Sequence, residues 1–362
     1  MSEIDSQKPR ARQRPARREP SRSRLRGRAG AIAAVVLALL AVAAVVAYSL
    51  HAHLPFGLNA GSPALSRSTG PTGPTGPTTP KSTRTVSVAI LGSLSAPAAR
   101  SAAVPYGSGG ALLLGGYDAA GAETDTIENF QSATTTAAGV LPVPEASAVA
   151  ALLSQNVYVF GGPSSTIYEL SNASFTDVGS LPAPTADAAV ATVADTAYVI
   201  GGYTGTAELN TIVAYTPGST AQTVATLPVT LRYAAAAAFG GQVYIIGGST
   251  AGVPSATVYR FDPATKTVAV FATLPHARDR ESAATLGGMI YVIGGADATG
   301  QRSRAIYAIN PSSGGVRLAG VLPAPLADAA AVPGNGEIII AGGTNEGLAA
   351  VATVYAVTPV SP

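Results

Sequence analysis

A short apolar run ending in paired glycines recurs six times in this chain, and that repeat limits what the chain can become. The copies are Ala111–Gly116 (ALLLGG), Val157–Gly162 (VYVFGG), Ala197–Gly202 (AYVIGG), Gln242–Gly248 (QVYIIGG), Ile290–Gly295 (IYVIGG) and Glu337–Gly343 (EIIIAGG). The first glycines fall at 115, 161, 201, 247, 294 and 342, giving steps of 46, 40, 46, 47 and 48 residues. Such a period marks stacked supersecondary units that cannot bury their apolar faces alone. One repeat family fills everything after about residue 85, so residues 85–362 are expected to form one large folded domain.

The fourth repeat shows the unit most clearly. Leu227-Pro228 closes the preceding strand, and Tyr233–Phe239 (YAAAAAF) reads as a strand of small residues. After a Gly240-Gly241 turn comes the β-branched run Gln242–Ile246, then Ala256–Phe261, a turn at Asp262-Pro263-Ala264-Thr265, and a last strand over Thr267–Leu274. Four short strands with turn signals every ten residues or so predict one antiparallel four-stranded sheet. Glycine at a strand end supplies positive φ and admits a neighbouring backbone. An innermost strand of small residues, as at Ala188–Val193, Ala234–Phe239 and Ala329–Val332, suits crowding around a narrow channel. Six such sheets packed radially make an all-β, six-bladed β-propeller. The sixth unit runs out after Val351–Val357, one strand short, while a spare strand, Thr85–Leu91, precedes the first repeat. That strand is expected to complete the last blade and remove the exposed edges.

Three segments precede the repeats. Residues 1–28 carry ten Lys/Arg against three acids with almost no large apolar side chains, and read as a disordered basic tail on the cytoplasmic side. Ala29–Leu50 is uncharged and long enough to span a hydrocarbon core of ~30 Å as a signal anchor. Positive charge on its N-terminal side alone predicts a single pass with the repeats outside the cell membrane. Residues 51–84, with Gly70-Pro-Thr-Gly-Pro-Thr-Gly-Pro-Thr, read as an extended Pro/Gly/Thr-rich linker.

Charge and cysteine content exclude several functions. From Thr85 onward there are nine Lys/Arg and seventeen Asp/Glu, so the repeat region is acidic and not a nucleic-acid binder. With no cysteine, thiolate zinc sites, cysteine nucleophiles and thiolate-held clusters are out. Asp118, Glu123 and Asp125 match no calcium-loop spacing, and His276, the one histidine of the repeat region, has no second histidine to join it. No metal or cofactor is expected.

The order Leu-Pro, small-residue strand, Φ-Tyr-Val-Ile-Gly-Gly, Val-Tyr-x-Phe-Asp-Pro-x-Thr resembles the Kelch repeat over about residues 85–362, most clearly at 242–266. The resemblance implies a Kelch-type propeller with the structural glycine pairs Gly115/Gly116, Gly161/Gly162, Gly201/Gly202, Gly247/Gly248, Gly294/Gly295 and Gly342/Gly343. This chain departs from the family in lacking its fourth-strand Trp, whose place falls to residues such as Val268 and Val270. Among activities found on such propellers, copper radical oxidation needs a Cys–Tyr cross-link and two His ligands, which this chain lacks. The Ser-x-Asp-x-Gly-x-Thr-Trp boxes of sialidases are absent too. Blade number and location resemble the periplasmic sialic-acid mutarotase, without a residue-by-residue match of its catalytic groups.

A site is expected where the innermost strands begin. Aligned on the Leu of Leu-Pro (Leu141, Leu181, Leu227, Leu274 and Leu322, with Leu94 in the first repeat), the residue six positions on is Arg100, Ser147, Asp187, Tyr233, Arg280 or Asp328. Each should stand at the channel mouth, with Glu145, Arg232, Arg278, Asp279 and Glu281 nearby. The candidate rim residues are Arg100, Glu145, Asp187, Tyr233, Arg278, Arg280 and Asp328, with Arg100 and Arg280 able to hold a carboxylate or sugar hydroxyls by forked hydrogen bonds. Their mixed signs also permit ion pairs among themselves. No acid–base pair stands out as catalytic. The expected function is a membrane-anchored binding module for a protein or glycan ligand; the alternative is a sugar-processing enzyme acting at the mouth.

Overall fold

The computed structural model describes residues 85–360. The basic tail, the apolar span 29–50 and the linker read from the sequence lie outside the described residues. Among the described residues there is no helix, so none is long and apolar enough to cross a membrane.

The described residues form an all-β, propeller-like arrangement in which the strands of each repeat pair in chain order. The first repeat pairs Ala102–Tyr106, Gly110–Tyr117, Glu123–Gln131 and Thr134–Val140. The second pairs Ala148–Leu153, Asn156–Gly161, Thr166–Ser171 and Ser174–Ser180, and the third runs likewise from Ala189–Val193 to Gln222–Thr226. The fourth and fifth repeats share one eight-stranded sheet. Its long strand Thr267–Leu286 pairs with Val253–Asp262 through its first half and with Met289–Ala296 through its second. The strand expected to stop at Leu274 therefore continues. The third strand of this repeat begins early, at Val253, and Ser255 gives Arg278 a pairing partner. In the last sheet the spare strand, Val86–Ala98, lies antiparallel to Val351–Pro359, with Val86 opposite Pro359 and Ile90 opposite Tyr355.

The core lies between sheets. Six clusters of buried apolar side chains each draw on two neighbouring repeats. One of them joins Leu113 and Phe130 of the first repeat to Ile339 and Val354 of the sixth, which closes the circle. The aligned leucines are part of this packing: Leu94, Leu141, Leu181, Leu227, Leu274 and Leu322 are all buried. The positions read as replacing the family tryptophan contribute little, since Val270 is 67% exposed and Val268 only partly buried. Edge-on aromatic pairs, Tyr244–Phe271 and Tyr198–Phe261, pack with ring centroids 5.1 and 5.4 Å apart.

The glycine pairs have a structural cause at the inter-sheet seams. Gly201 has φ of 62°, and a Cβ there would overlap the Leu231 carbonyl oxygen of the next repeat. The amide of Gly202 donates to that same oxygen at 2.8 Å. The seam repeats with Gly116 donating to Glu145 O, Gly162 to Thr185 O and Gly343 to Ala98 O, at 2.7–3.0 Å. In each case the missing side chain lets one sheet hydrogen-bond to the loop of the next.

Candidate functional site at the channel mouth

Six residues define the mouth, and they are the six picked out by their spacing from Leu. Arg100, Ser147, Asp187, Tyr233, Arg280 and Asp328 all have left-handed backbone, with φ between 54° and 66°. Non-glycine residues rarely adopt this conformation, and here the surroundings enforce it. Each amide donates to the carbonyl of its neighbour: Ser147 to Arg100, Asp187 to Ser147, Tyr233 to Asp187, Arg280 to Tyr233, Asp328 to Arg280 and Arg100 to Asp328, at 2.9–3.3 Å. The result is a closed ring of six backbone hydrogen bonds. It also corrects the strand starts expected at Ala188, Ala234 and Ala329 by one residue: the innermost strands begin at Ala189, Ala235 and Ala330, past the left-handed ring residue.

Beneath the ring is a channel of about 380 Å³ walled by the innermost strands, mostly Ala and Val, including Ala102, Ala150, Ala191, Ala237, Ala284 and Ala331. The mouth itself is a cavity of about 150 Å³ lined by Arg100, Ser147, Asp187, Tyr233, Arg280, Glu281 and Asp328 among small residues. Of the seven rim candidates, five line it. Glu145 and Arg278 do not. The Glu145 carboxyl is buried against Gly162, where burial, with Glu123 adding to it, pushes its pKa up to about 7.

The polar side chains of the mouth are extensively paired. Arg100 donates through Nε to Asp328 at 3.0 Å and through Nη1 to Asp187 at 3.4 Å. Arg232 donates to Asp187 and to the Tyr233 hydroxyl. Arg280 lies 3.2 Å from Asp279 and 3.5 Å from Asp328. Three guanidinium groups surround the Tyr233 ring: Arg280 at 4.0 Å, Arg232 at 4.3 Å and Arg100 at 4.8 Å from its centroid. This packing fixes the arginine planes as well as their charges. The acids are more deeply buried than the arginines, with Asp187 and Asp328 side chains 6% and 5% exposed against 25% for Arg100.

Side chains that depart from the repeat sit on one side. The residue before each ring position is Ala99, Ala146, Ala186 or Ala327 in four repeats, but Arg232 and Asp279 in the fourth and fifth. The sequence places Arg232 near the mouth only as a neighbour of Tyr233, whereas in the structure it contacts Asp187, Tyr233 and Tyr203. Its signal was the replacement of alanine in this register. Arg302, in the loop after the fifth glycine pair, lies outside the register that picks out the ring. It reaches Thr344 at 3.3 Å and approaches Asp328 at 3.9 Å. A second cavity of about 340 Å³ opens there, lined by Arg100, Tyr117, Arg302, Asp328 and Leu348. The buried Nε atoms of Arg232, Arg278 and Arg302 have no hydrogen-bond partner.

Among the described residues no group of three or more His, Asp or Glu could hold a metal ion. Asp118 is engaged with its own loop, accepting from the amides of Ala120 and Ala122 at 2.8 and 2.9 Å. His276 is exposed.

Comparison with known proteins agrees with this geometry. A family model described as the Kelch motif matches residues 230–275, the fourth repeat. The chain carries a Kelch motif. Among solved structures it is similar to one titled "Structure of YjhT", with a TM-score of 0.66 and 16% identity over 75% of this chain and 97% of that one. At that identity the likeness is one of fold. No curated protein matches.

Proposed function

We propose that this chain is a six-bladed, membrane-anchored propeller that binds a protein or glycan ligand bearing a carboxylate at its channel mouth, outside the cell. Six blades follow from assigning the two halves of the eight-stranded sheet to separate blades, divided where Thr267–Leu286 changes partner at Asp279. The anchor rests on the uncharged stretch 29–50 and the one-sided basic tail.

One observation carries the binding reading: the guanidinium groups of Arg100 and Arg280 line the mouth cavity on either side of the Tyr233 ring. Arg100, Arg232, Arg280 and Arg302 meet Asp187, Asp279 and Asp328, and the buried Nε–H groups of Arg232 and Arg302 lack acceptors. An anion entering the cavity would meet the partly exposed guanidinium groups of Arg100 and Arg280. A thermal-shift titration of the full-length chain tests this with gluconate against sorbitol, its near-isosteric uncharged counterpart. Gluconate at 100 times its dissociation constant should add about 2.7 kcal/mol. Sorbitol should add much less, and Arg280→Ala should abolish the difference. Equal shifts by both compounds would refute a carboxylate site.

The sugar-processing alternative draws on Glu281, a buried carboxyl at the cavity wall whose pKa burial raises well above the usual range. Such a group can deliver a proton to a bound sugar. Catalysed anomer interconversion by the wild-type chain, lost in Glu281→Gln, would favour this reading.

A further inference from the structure

Three of the loops that follow the glycine pairs are built alike, and one of them breaks the pattern. In each, a side-chain oxygen accepts from the amides two and four residues on: Asp118 from Ala120 and Ala122, Asp297 from Thr299 and Gln301, and Asn345 from Gly347 and Ala349, at 2.8–3.2 Å. The residue between those two amides is left-handed in all three loops: Gly121 with φ of 77°, Gly300 with 82° and Leu348 with 65°. Glycine adopts this backbone freely, whereas leucine is strained in it. Leu348 is also 64% exposed, so burial does little to offset that strain. It stands on the wall of the cavity of about 340 Å³ beside the mouth, together with Tyr117, Ala99, Ala119 and Ala350. Strain kept at an exposed apolar side chain on a cavity wall is the mark of a ligand contact.

We propose that this side cavity is an apolar subsite of the mouth and that the ligand is the C-terminal residue of a peptide, with its carboxylate on Arg100 and Arg280 and its bulky apolar side chain against Tyr117 and Leu348. This rests on the reading of the mouth as a carboxylate site. Arg100 is the shared wall. It lines both cavities, and its guanidinium carbon lies 4.8 Å from the Tyr233 centroid in the mouth and 5.8 Å from the Tyr117 centroid in the side cavity. Its Nε donates to Asp328 and its Nη1 to Asp187, while Nη2, on a side chain 25% exposed, makes no hydrogen bond among the described residues. That nitrogen is the donor left for a carboxylate. The acidic side chains of the side cavity are already engaged: Asp328 accepts from Arg100 and Thr344, and Asp118 from its own loop. Sugar hydroxyls need acceptors as well as donors, so this wall suits an apolar group and not a sugar ring.

Calorimetry on the full-length chain tests this with N-acetylleucine, which has both groups, N-acetylglycine, which lacks the apolar side chain, and N-acetylleucinamide, which lacks the charge. N-acetylleucine should bind about tenfold more tightly than N-acetylglycine, the worth of burying about two methylene groups. Leu348→Gly installs the residue of the two matching loops. It should bring N-acetylleucine down to the affinity of N-acetylglycine, leave N-acetylglycine itself unchanged, and not lower the melting temperature. Equal affinities of the wild-type chain for N-acetylleucine and N-acetylglycine, or a preference for N-acetylleucine that survives Leu348→Gly, would overturn the subsite while leaving the carboxylate site standing. Gluconate binding more tightly than N-acetylleucine would overturn the peptide assignment in favour of a sugar acid. If N-acetylleucinamide binds as tightly as N-acetylleucine, if no carboxylate binds, or if Arg280→Ala leaves the affinity for N-acetylglycine intact, the mouth reading falls and this inference with it.

Discussion

At the residue scale, the glycines of this chain divide into those that admit a neighbour and those that only turn. Gly201 has both positive φ and the Leu231 carbonyl in its Cβ position, whereas Gly240, with φ of 58°, has nothing within 4 Å. Gly240→Ala should therefore cost only the left-handed backbone penalty of about 1–2 kcal/mol. Gly201→Ala should cost clearly more, because a backbone seam must move as well. Urea denaturation of the two variants reads the difference, and equal costs would mean that the seam is soft. The buried carboxyl of Glu145 gives a pH signature. Its pKa is raised from 4.5 to about 7, chiefly by burial. The folded state therefore binds the extra proton, and the stability contributed is full below pH 4.5 and lost as pH rises through 7. Glu145→Gln should flatten the fall in melting temperature across that window, and an unchanged slope would contradict the assignment.

At the element scale, four-stranded units, their glycine seams and the spare first strand were legible because each leaves a periodic mark. The β-branched run Gln242–Ile246, turn residues at Asp262-Pro263 and the Leu-Pro register are all local. Joining of the fourth and fifth repeats through Thr267–Leu286 left no such mark. It depends on Ser255 meeting Arg278, a pairing between strands that no single segment shows. The late strand starts at Ala189, Ala235 and Ala330 were hidden for a related reason. Left-handed backbone at Asp187, Tyr233 and Asp328 is imposed by the ring of hydrogen bonds and not by residue type. The strand Val86–Ala98 covers what would otherwise be the open edge of Val351–Pro359, and it buries Val86 beside Ala319 and Leu322. Leu322→Ala, at a fully buried position in that cluster, should destabilise by roughly 2–5 kcal/mol in chemical denaturation. A loss under about 1 kcal/mol would mean that the seam between these sheets carries little of the stability.

At the scale of the whole molecule, the repeat both builds the scaffold and makes its exceptions visible. Alanine at the positions flanking the ring is the rule, so Arg232, Asp279 and Glu281 stand out once the register is known. Five of the seven rim candidates were legible from that register alone. Glu145 and Arg278 lie outside the mouth cavity, Glu145 in the loop before its strand with its carboxyl against Gly162 and Arg278 opposite Ser255 in the long strand. The ion pairs joining Arg100 to Asp187 and Asp328 bridge residues 87 and 228 positions apart, beyond what sequence spacing can reveal. These long-range pairs make the mouth one connected unit, and a ligand there should be felt around the ring. Chemical-shift mapping of backbone amides during a gluconate titration tests this most directly. The account predicts shifts concentrated at Arg100, Asp187, Tyr233, Arg280 and Asp328, with the exposed outer-strand positions Ile90, Val270 and Leu318 unmoved. Shifts confined to the outer strands, or none at the ring, would contradict it.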